Sequence, residues 1–338
     1  MANCLPTDEA APRRVLSIDG GGLKGIMPAA FLSQIEDATG ERFVDHFDLI
    51  VGTSTGGIIA LGIGLGLPCS QILDFYLEKG PTVFGQSGGR LRSAPIRAWR
   101  RAKRWIANKH PAGPLRRELA EVFGDRRLGE SRTRLVIPAW DSVQRRPYLF
   151  KTAHRQRFEM DYRVSVVDVA MATAAAPTYL PAHRLGGGLE LVDGGLWANN
   201  PATVAAVEAT AVLGWSPETV FLLSLGCTDE RLVVPKRMGL VTGARIGVGM
   251  MFQGQSFASD AAARVLLGGG GGERDPVLRV DATVDRGYAK LDGAERLAQL
   301  AELGRDLARQ ALPRIRREFL ASPRTAFAPC HWAAAEDS

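Results

Sequence analysis

Residues 52–56 read Gly52-Thr53-Ser54-Thr55-Gly56 and lie between two apolar stretches of the chain. The short stretch before them, FDLIV, stops at glycine and predicts a buried strand, whereas the longer stretch after them predicts a helix. A G-x-S-x-G motif between a strand and a helix is typical of a turn that holds a nucleophilic serine above the end of a sheet. Ser54 is therefore a candidate nucleophile, and the alternative is a tight turn in which Ser54 only caps the helix.

The same pattern of strand, glycine turn and helix precedes this motif. Residues 15–19 form an apolar run that stops at three glycines, and apolar residues at helical spacing follow from Ile26. Further runs predict strands at residues 135–138, 148–150, 189–192, 219–225 and 276–280, and helices at residues 166–176 and 292–319, the second kinked or broken at Pro313. Strands that alternate with helices predict a three-layer α/β/α sandwich with a mostly parallel central sheet.

The chain has 338 residues, of which 46% are apolar and 23% charged, and this composition excludes a wholly disordered protein. No internal repeat or convincing linker divides it. We predict a flexible tail at residues 1–14, a single domain at residues 15–320 and a C-terminal tail at residues 321–338. Within the domain, residues 238–265 are predicted to be partly helical and to pack in the core, with a lid or a dimer face as the alternatives.

Positive charge is concentrated in residues 81–117, which contain ten basic residues and no acidic one. The whole chain has a net charge of +6, but outside this segment 32 basic residues face 36 acidic ones. The segment is predicted to be an insertion that contacts an anion or an anionic membrane, because basic residues and tryptophan favour such a surface. A solvated face is the alternative. A nucleic acid polymer is not favoured, since no nucleic-acid-binding motif accompanies the charge. The candidate contact residues are Arg97, Arg100, Arg101 and Arg104.

A nucleophilic serine needs a base, and the chain has only five histidines. Only His183 lies in a suitable apolar loop, and no histidine follows an acid in the order of a conventional triad. Asp193 instead ends a short predicted strand and precedes Gly194 and Gly195, so its carboxylate is a candidate base that accepts the serine proton directly. The alternative is that Asp193 is only a turn residue before two glycines. Four widely spaced cysteines without a CxxC pair argue against a zinc site or a disulfide scaffold.

The third motif is DGGGLKG at residues 19–25, which satisfies the dinucleotide-binding pattern G-x-G-x-x-G. The acidic residue that this pattern needs at the end of the next strand is absent, so a loop of backbone N–H groups for an oxyanion is favoured. Lys24 either orders this loop or attracts an anionic substrate. A nucleotide-binding module that uses the loop at residues 20–25 and has no hydrolase activity remains the alternative function.

The order of DGGGLKG, GTSTG and DGG followed by LWANNP resembles the patatin-like phospholipases over residues 15–201. This resemblance implies a serine lipid acyl hydrolase of the phospholipase A type, with a Ser-Asp dyad and without a metal or cofactor. It assigns Ser54 as the nucleophile, Asp193 as the general base, and Gly20, Gly21 and Gly22 as the oxyanion hole. The motifs also contain Lys24, Gly25, Gly52, Gly56, Gly194 and Gly195. The family more often has arginine in place of Lys24, which changes the donor geometry and keeps the charge.

The chain is also similar to bacterial patatin-like phospholipases that act as effectors in antiphage defence and are activated by a cyclic dinucleotide. This similarity implies a cyclic dinucleotide activator, whose phosphates suit clusters of arginine and lysine. No apolar run is long enough to span a membrane, and the first residues lack the apolar segment of a signal peptide. We therefore expect a cytoplasmic protein that acts peripherally at the inner membrane on phospholipids, with a homo-oligomer as a further expectation.

Overall fold

The structure is a computed structural model, and it describes residues 11–80, 111–231, 239–269, 274–284 and 296–331. Most of the basic segment, including Arg97, Arg100, Arg101 and Arg104, lies outside the described residues, as do residues 1–10 and 332–338 of the predicted tails.

The described residues form the strands β1 (Arg13–Ile18), β2 (Leu49–Gly52), β3 (Arg134–Asp141), β4 (Arg146–Lys151), β5 (His183–Arg184), β6 (Glu190–Asp193), β7 (Val220–Leu225), β8 (Asp229–Glu230), β9 (Val277–Val280) and β10 (Thr283–Val284). Eight of these described strands form a mixed central sheet in the order β5-β6-β3-β2-β1-β7-β9, with β4 paired to β3. The neighbouring strands β3, β2, β1, β7 and β9 are parallel to one another, whereas β4 and β6 pair antiparallel with β3, and β5 pairs antiparallel with β6. A separate two-stranded ladder joins β8 and β10.

Helices cover both faces of this sheet, because alternate residues of each strand point to opposite faces. In β1, Leu16 and Ile18 belong to a core cluster with the helices of one face, and Val15 belongs to a second cluster on the other face. The first face is covered by α1 (Ile26–Thr39), α3 (Thr55–Gly64), α4 (Cys69–Asp74), α5 (Ala112–Phe123), α6 (Val166–Thr173) and α10 (Leu297–Glu318), with the short α2 (Phe43–His46) beside them. The second face is covered by α8 (Ala202–Val207) and α9 (Leu240–Leu266), and the short α7 (Gly195–Ala198) follows β6. The predicted α/β/α sandwich is confirmed.

One edge of β3 is shared by two other strands, and this arrangement positions the candidate site. β4 occupies one edge of β3 from Val136 to Asp141. β2 pairs with the first part of β3 up to Val136, and β6 pairs with the last part from Ala139 onward. Both must therefore lie on the edge that β4 leaves open. Since β2 is parallel to β3 and β6 is antiparallel, the ends of β2 and β6 point toward each other.

Three details differ from the sequence predictions. β1 begins at Arg13, and both Arg13 and Arg14 are buried, so the tail before residue 15 is shorter than predicted. The guanidinium of Arg14 donates hydrogen bonds to the carbonyl oxygens of Glu318 and Ser322, which attaches the start of the predicted C-terminal tail to the sheet. α10 continues through Pro313 without ending there.

A further difference concerns α9, which the sequence predicts to pack in the core. Met250 and Met251 are 51% and 73% exposed and Phe257 is 75% exposed, so the prediction is wrong for this part of the helix. Among the described residues, no helix combines the length and the apolar character required to cross a membrane.

The contact between α1 and α10 generates a stability prediction. A side chain at Gly304 of α10 would overlap the carbonyl oxygen of Met27 in α1, whereas a side chain at Gly254 of α9 would meet no atom within 4 Å. Alanine favours a helix over glycine by about 1 kcal/mol. Gly254→Ala should therefore raise the free energy of unfolding by about 0.5–1 kcal/mol, and Gly304→Ala should lower it by about 1–3 kcal/mol because of overpacking. Denaturant unfolding measures both changes, and equal stabilisation by the two variants would contradict the close helix contact.

Candidate active site

The turn between β2 and α3 holds Ser54 in a strained backbone conformation. Its φ of 55° and ψ of −121° lie outside the regions that serine usually adopts. Neighbouring groups fix this conformation: the Ser54 N–H donates to Thr173 Oγ1 at 2.9 Å, and Thr53 Oγ1 donates to the Ala198 carbonyl oxygen at 2.6 Å. The Ser54 side chain makes no capping hydrogen bond to α3, so the capping alternative does not describe this turn.

The structure brings the predicted nucleophile and the predicted base together. Ser54 Oγ donates a hydrogen bond to Asp193 Oδ2 at 2.6 Å, and both residues are buried. The other carboxylate oxygen, Oδ1, accepts a hydrogen bond from the backbone N–H of Gly195 at 2.7 Å. One oxygen of Asp193 is thus anchored while the other faces Ser54, which is the geometry that direct proton transfer between them requires.

The environment of Asp193 makes its carboxylate a stronger base than an exposed one. Burial raises the pKa of Asp193 to about 6, although the hydrogen bonds from Ser54 and Gly195 act in the opposite direction. A carboxylate with this pKa is ionised at neutral pH and still accepts a proton readily. The pKa of Asp193 therefore suits a general base that works near pH 7.

The glycine loop after β1 lies against this pair. Thr55 Oγ1 donates to the Gly22 carbonyl oxygen at 3.0 Å, which joins the loop to the serine turn. The N–H of Gly20 donates to the Asn199 carbonyl oxygen at 2.9 Å, so this group is already engaged, and a role for Gly20 in the oxyanion hole stays a prediction. The N–H groups of Gly21 and Gly22 have no acceptor among the described residues. Among the three glycines of the loop, these two N–H groups are therefore the donors available to an oxyanion.

Lys24 orders the loop, which was one of the two roles considered for it. Its Nζ donates to the carbonyl oxygen of Thr228 at 2.8 Å, on the loop that follows β7. The same loop supplies Cys227, whose side chain occupies the position that a Cβ atom on Gly21 would need. The glycine at position 21 is therefore required by close packing against this neighbouring loop.

The other motif glycines allow backbone segments to approach each other closely. A Cβ atom on Gly56 would overlap the carbonyl oxygens of Ile18 and Asp19, and one on Gly194 would overlap the carbonyl oxygen of Pro138. The start of α3 thus lies directly against the end of β1, and the turn after Asp193 lies directly against β3. A Cβ atom on Gly25 would overlap the Thr55 side chain and one on Gly52 the carbonyl oxygen of Gly56, whereas the nearest atom to a Cβ on Gly195 lies 3.0 Å away.

None of the described histidines contacts Ser54 or Asp193 through a hydrogen bond. His183, the histidine considered in the sequence, has its Nε2 3.1 Å from Asp168 Oδ1. His46 and His154 are paired with Glu41 and Glu208. The described part of the chain also contains no group of three His, Cys, Asp or Glu residues that would hold a metal ion. The expectation of catalysis without a metal stays a prediction.

Two residues at the site were missed in the sequence. Thr173, at the end of α6, accepts from the Ser54 N–H and donates through Oγ1 to the Pro138 carbonyl oxygen at 2.7 Å, so it bridges the serine turn and β3. Arg279 of β9 forms an ion pair with Asp19, the residue before the glycine loop. Neither residue belongs to a motif, and only the folded chain brings them to the site.

The fold and the site define an α/β protein with a Ser-Asp pair at a nucleophile turn beside a glycine loop. The family model described as "Patatin-like phospholipase" matches residues 16–206. The chain therefore belongs to the patatin-like phospholipase family.

Relatives with names of two kinds are similar to this chain. A "cGAMP-activated phospholipase" of Pseudomonas aeruginosa is 38% identical over 59% of this chain and 57% of its own length. "Patatin-like protein 2" of Arabidopsis thaliana is 36% identical over 58% of this chain and 52% of its own length. A "cGAMP-activated phospholipase" of Vibrio cholerae is 33% identical over 58% of this chain and 57% of its own length. The matched region thus spans little more than half the length of these relatives.

The pKa of Asp193 generates a prediction for the pH dependence of activity. Because burial raises this pKa to about 6, Asp193 is protonated below that pH and cannot accept the proton of Ser54. We expect kcat/KM for a soluble ester to rise tenfold per pH unit below pH 6 and to reach a plateau above about pH 7. Circular dichroism at each pH checks that the protein stays folded. A profile that is flat between pH 4.5 and 8 would contradict the assignment.

Proposed function

We propose that this protein is a serine hydrolase that cleaves fatty-acyl esters of phospholipids. The observation that carries the proposal is the 2.6 Å hydrogen bond from Ser54 Oγ to Asp193 Oδ2 at a strained turn beside the glycine loop. Membership of the patatin-like phospholipase family supports an ester of a lipid as the substrate. The site needs no cofactor for the chemistry described below.

In the first half of the reaction, Ser54 Oγ attacks the ester carbonyl carbon while its proton passes to Asp193 Oδ2. The negative charge that develops on the carbonyl oxygen is held by the N–H groups of Gly21 and Gly22, which are preorganised by the fold. The carbon–oxygen bond to the glycerol then breaks, and the leaving alcohol takes the proton from Asp193. The fatty acyl group remains on Ser54 as an ester.

In the second half, a water molecule gives a proton to Asp193 and attacks the acyl carbonyl carbon. The same N–H groups hold the oxyanion, since the charge develops on the same oxygen. The bond to Ser54 Oγ breaks, Oγ recovers its proton from Asp193, and the fatty acid leaves. Each step thus uses Asp193 first as a base and then as an acid.

Activation by a cyclic dinucleotide is a second part of the proposal. It is supported by the bacterial relatives, which are named cGAMP-activated phospholipases. We further propose that the protein acts in the cytoplasm and binds the inner membrane peripherally, as an antiviral effector. Binding of phosphates or an anionic membrane by Arg97, Arg100, Arg101 and Arg104 stays a prediction, and so does a homo-oligomer.

Loss of either member of the Ser-Asp pair should abolish activity. We expect Ser54→Ala and Asp193→Asn to lower kcat on phospholipid vesicles by at least ~10³-fold, since one residue is the nucleophile and the other the base. Ser33→Ala, which changes a buried serine of α1 outside the site, is the matched control and should keep wild-type activity.

A fluorophosphonate probe separates this function from the alternative. The hydrolase should be labelled at Ser54 alone, and Ser54→Ala should not be labelled. A nucleotide-binding module that uses the loop at residues 20–25 would give no labelling and would bind nucleotides saturably. Esterase activity that survives in Ser54→Ala would show that the assigned nucleophile is wrong.

If a cyclic dinucleotide activates the protein, we expect the ligand to change both the melting temperature and the phospholipase activity. A ligand present at 100 times its Kd stabilises the folded state by about 2.7 kcal/mol, so the melting temperature should rise by a few degrees. Phospholipase activity should increase in the same concentration range, and linear dinucleotides are the control. Full activity without any cyclic dinucleotide, and no shift with any of them, would indicate a constitutive enzyme.

A further inference from the structure

A buried ion pair lies directly behind the glycine loop. The Asp19 side chain, the last one before the three glycines, is 5% exposed. Arg279 donates to both of its oxygens, from Nη1 to Oδ1 at 3.0 Å and from Nη2 to Oδ2 at 2.7 Å. This two-point contact fixes the plane and the position of the carboxylate, which a single hydrogen bond does not do.

The sheet explains how an arginine two strands away reaches Asp19. β7 lies between β1 and β9, and its residue Ser224 pairs with Ser17 on one side and with Arg279 on the other. Since these residues share one row and one face of the sheet, the guanidinium crosses β7 above the small Ser224 side chain. Ser224 Oγ accepts from Nη1 at 2.9 Å, and Asp281 Oδ2 accepts from Nη2 at 2.6 Å. Arg279 is therefore held on several sides.

The glycine loop depends on its neighbours for its position, because glycine has no side chain that would pack. Gly20 is held by the Asn199 carbonyl oxygen, and Cys227 Sγ donates to the Asp19 carbonyl oxygen at 3.3 Å. These contacts hold the backbone of the loop, whereas Arg279 holds the side chain of Asp19, the residue before the loop. A displacement of about 1 Å at a reacting centre costs on the order of 10²-fold in rate.

We propose that Arg279 is a positioning residue that aligns the N–H groups of Gly21 and Gly22 by holding Asp19. This inference rests on the proposed hydrolase function. Arg279 lies outside residues 16–206, the part of the chain that matches the family model. It touches neither Ser54 nor Asp193, and it acts on the reaction only through Asp19 and the loop.

The first test removes the positive charge of Arg279 and keeps much of the volume of its side chain. Arg279→Met should lower kcat on a soluble ester by about 10–100-fold and change KM by less than about threefold, because the displaced donors act in the transition state. The rate at which a fluorophosphonate modifies Ser54 should fall by a similar factor. Arg279→Lys should be intermediate, since an ammonium group cannot make the two-point contact.

A double variant distinguishes positioning from a purely structural role. Arg279→Met leaves the Asp19 carboxylate buried without its partner, which lowers the melting temperature. Asp19→Asn combined with Arg279→Met removes this unpaired charge and should recover part of the melting temperature. We expect kcat to stay low in the double variant. Recovery of kcat together with the melting temperature would show that the pair is only structural and would overturn the proposal.

The matched control is Arg14→Met, which removes a buried arginine from the opposite end of β1. It should lower the melting temperature and leave kcat within about twofold of the wild type. Wild-type kcat in a folded Arg279→Met protein would also overturn the proposal. If the wild-type protein itself neither hydrolyses esters nor reacts with the fluorophosphonate, the proposed function fails, and this outcome is distinct from a failure of the inference.

Discussion

The hydrogen bond between Ser54 and Asp193 exists because two strands share one edge of β3. β2 approaches along this edge from one direction and β6 from the other, so the residues that follow β2 and end β6 meet in the gap between them. Thr173 bridges this gap with two hydrogen bonds: its Oγ1 accepts from the Ser54 N–H and donates to the carbonyl oxygen of Pro138. The rest of the site is arranged around this meeting point, and a change of strand register would separate the pair.

Close backbone packing and burial follow from the same arrangement. At Gly56 and Gly194 the backbone of one segment lies where a side chain would otherwise be, which brings the turns against β1 and β3. The space left around Asp193 is too small for full hydration, and burial raises the pKa of its carboxylate to about 6. Burial therefore makes this carboxylate a stronger base than an exposed one.

Much of the fold was predictable because strand and helix periodicity is local. The apolar run at residues 15–19, which predicts the strand β1, and the long apolar run of α3 are visible in the sequence. The exposure of Met251 was not predictable, because apolar residues at helical spacing look alike whether or not another element covers them. The occupied N–H of Gly20 was missed for a similar reason, since its acceptor, the carbonyl of Asn199, is distant in the sequence.

The sequence by itself determined the class of the fold and the chemical groups of the site, because Ser54, Asp193 and the glycine loop stand at predicted strand ends. Only the tertiary structure decided which groups meet, which N–H groups remain available, and which residues hold them. Arg279 illustrates the physical reason: its link to Asp19 crosses 260 positions of the chain. Such a contact depends on strand order and register, which no local pattern of residues specifies.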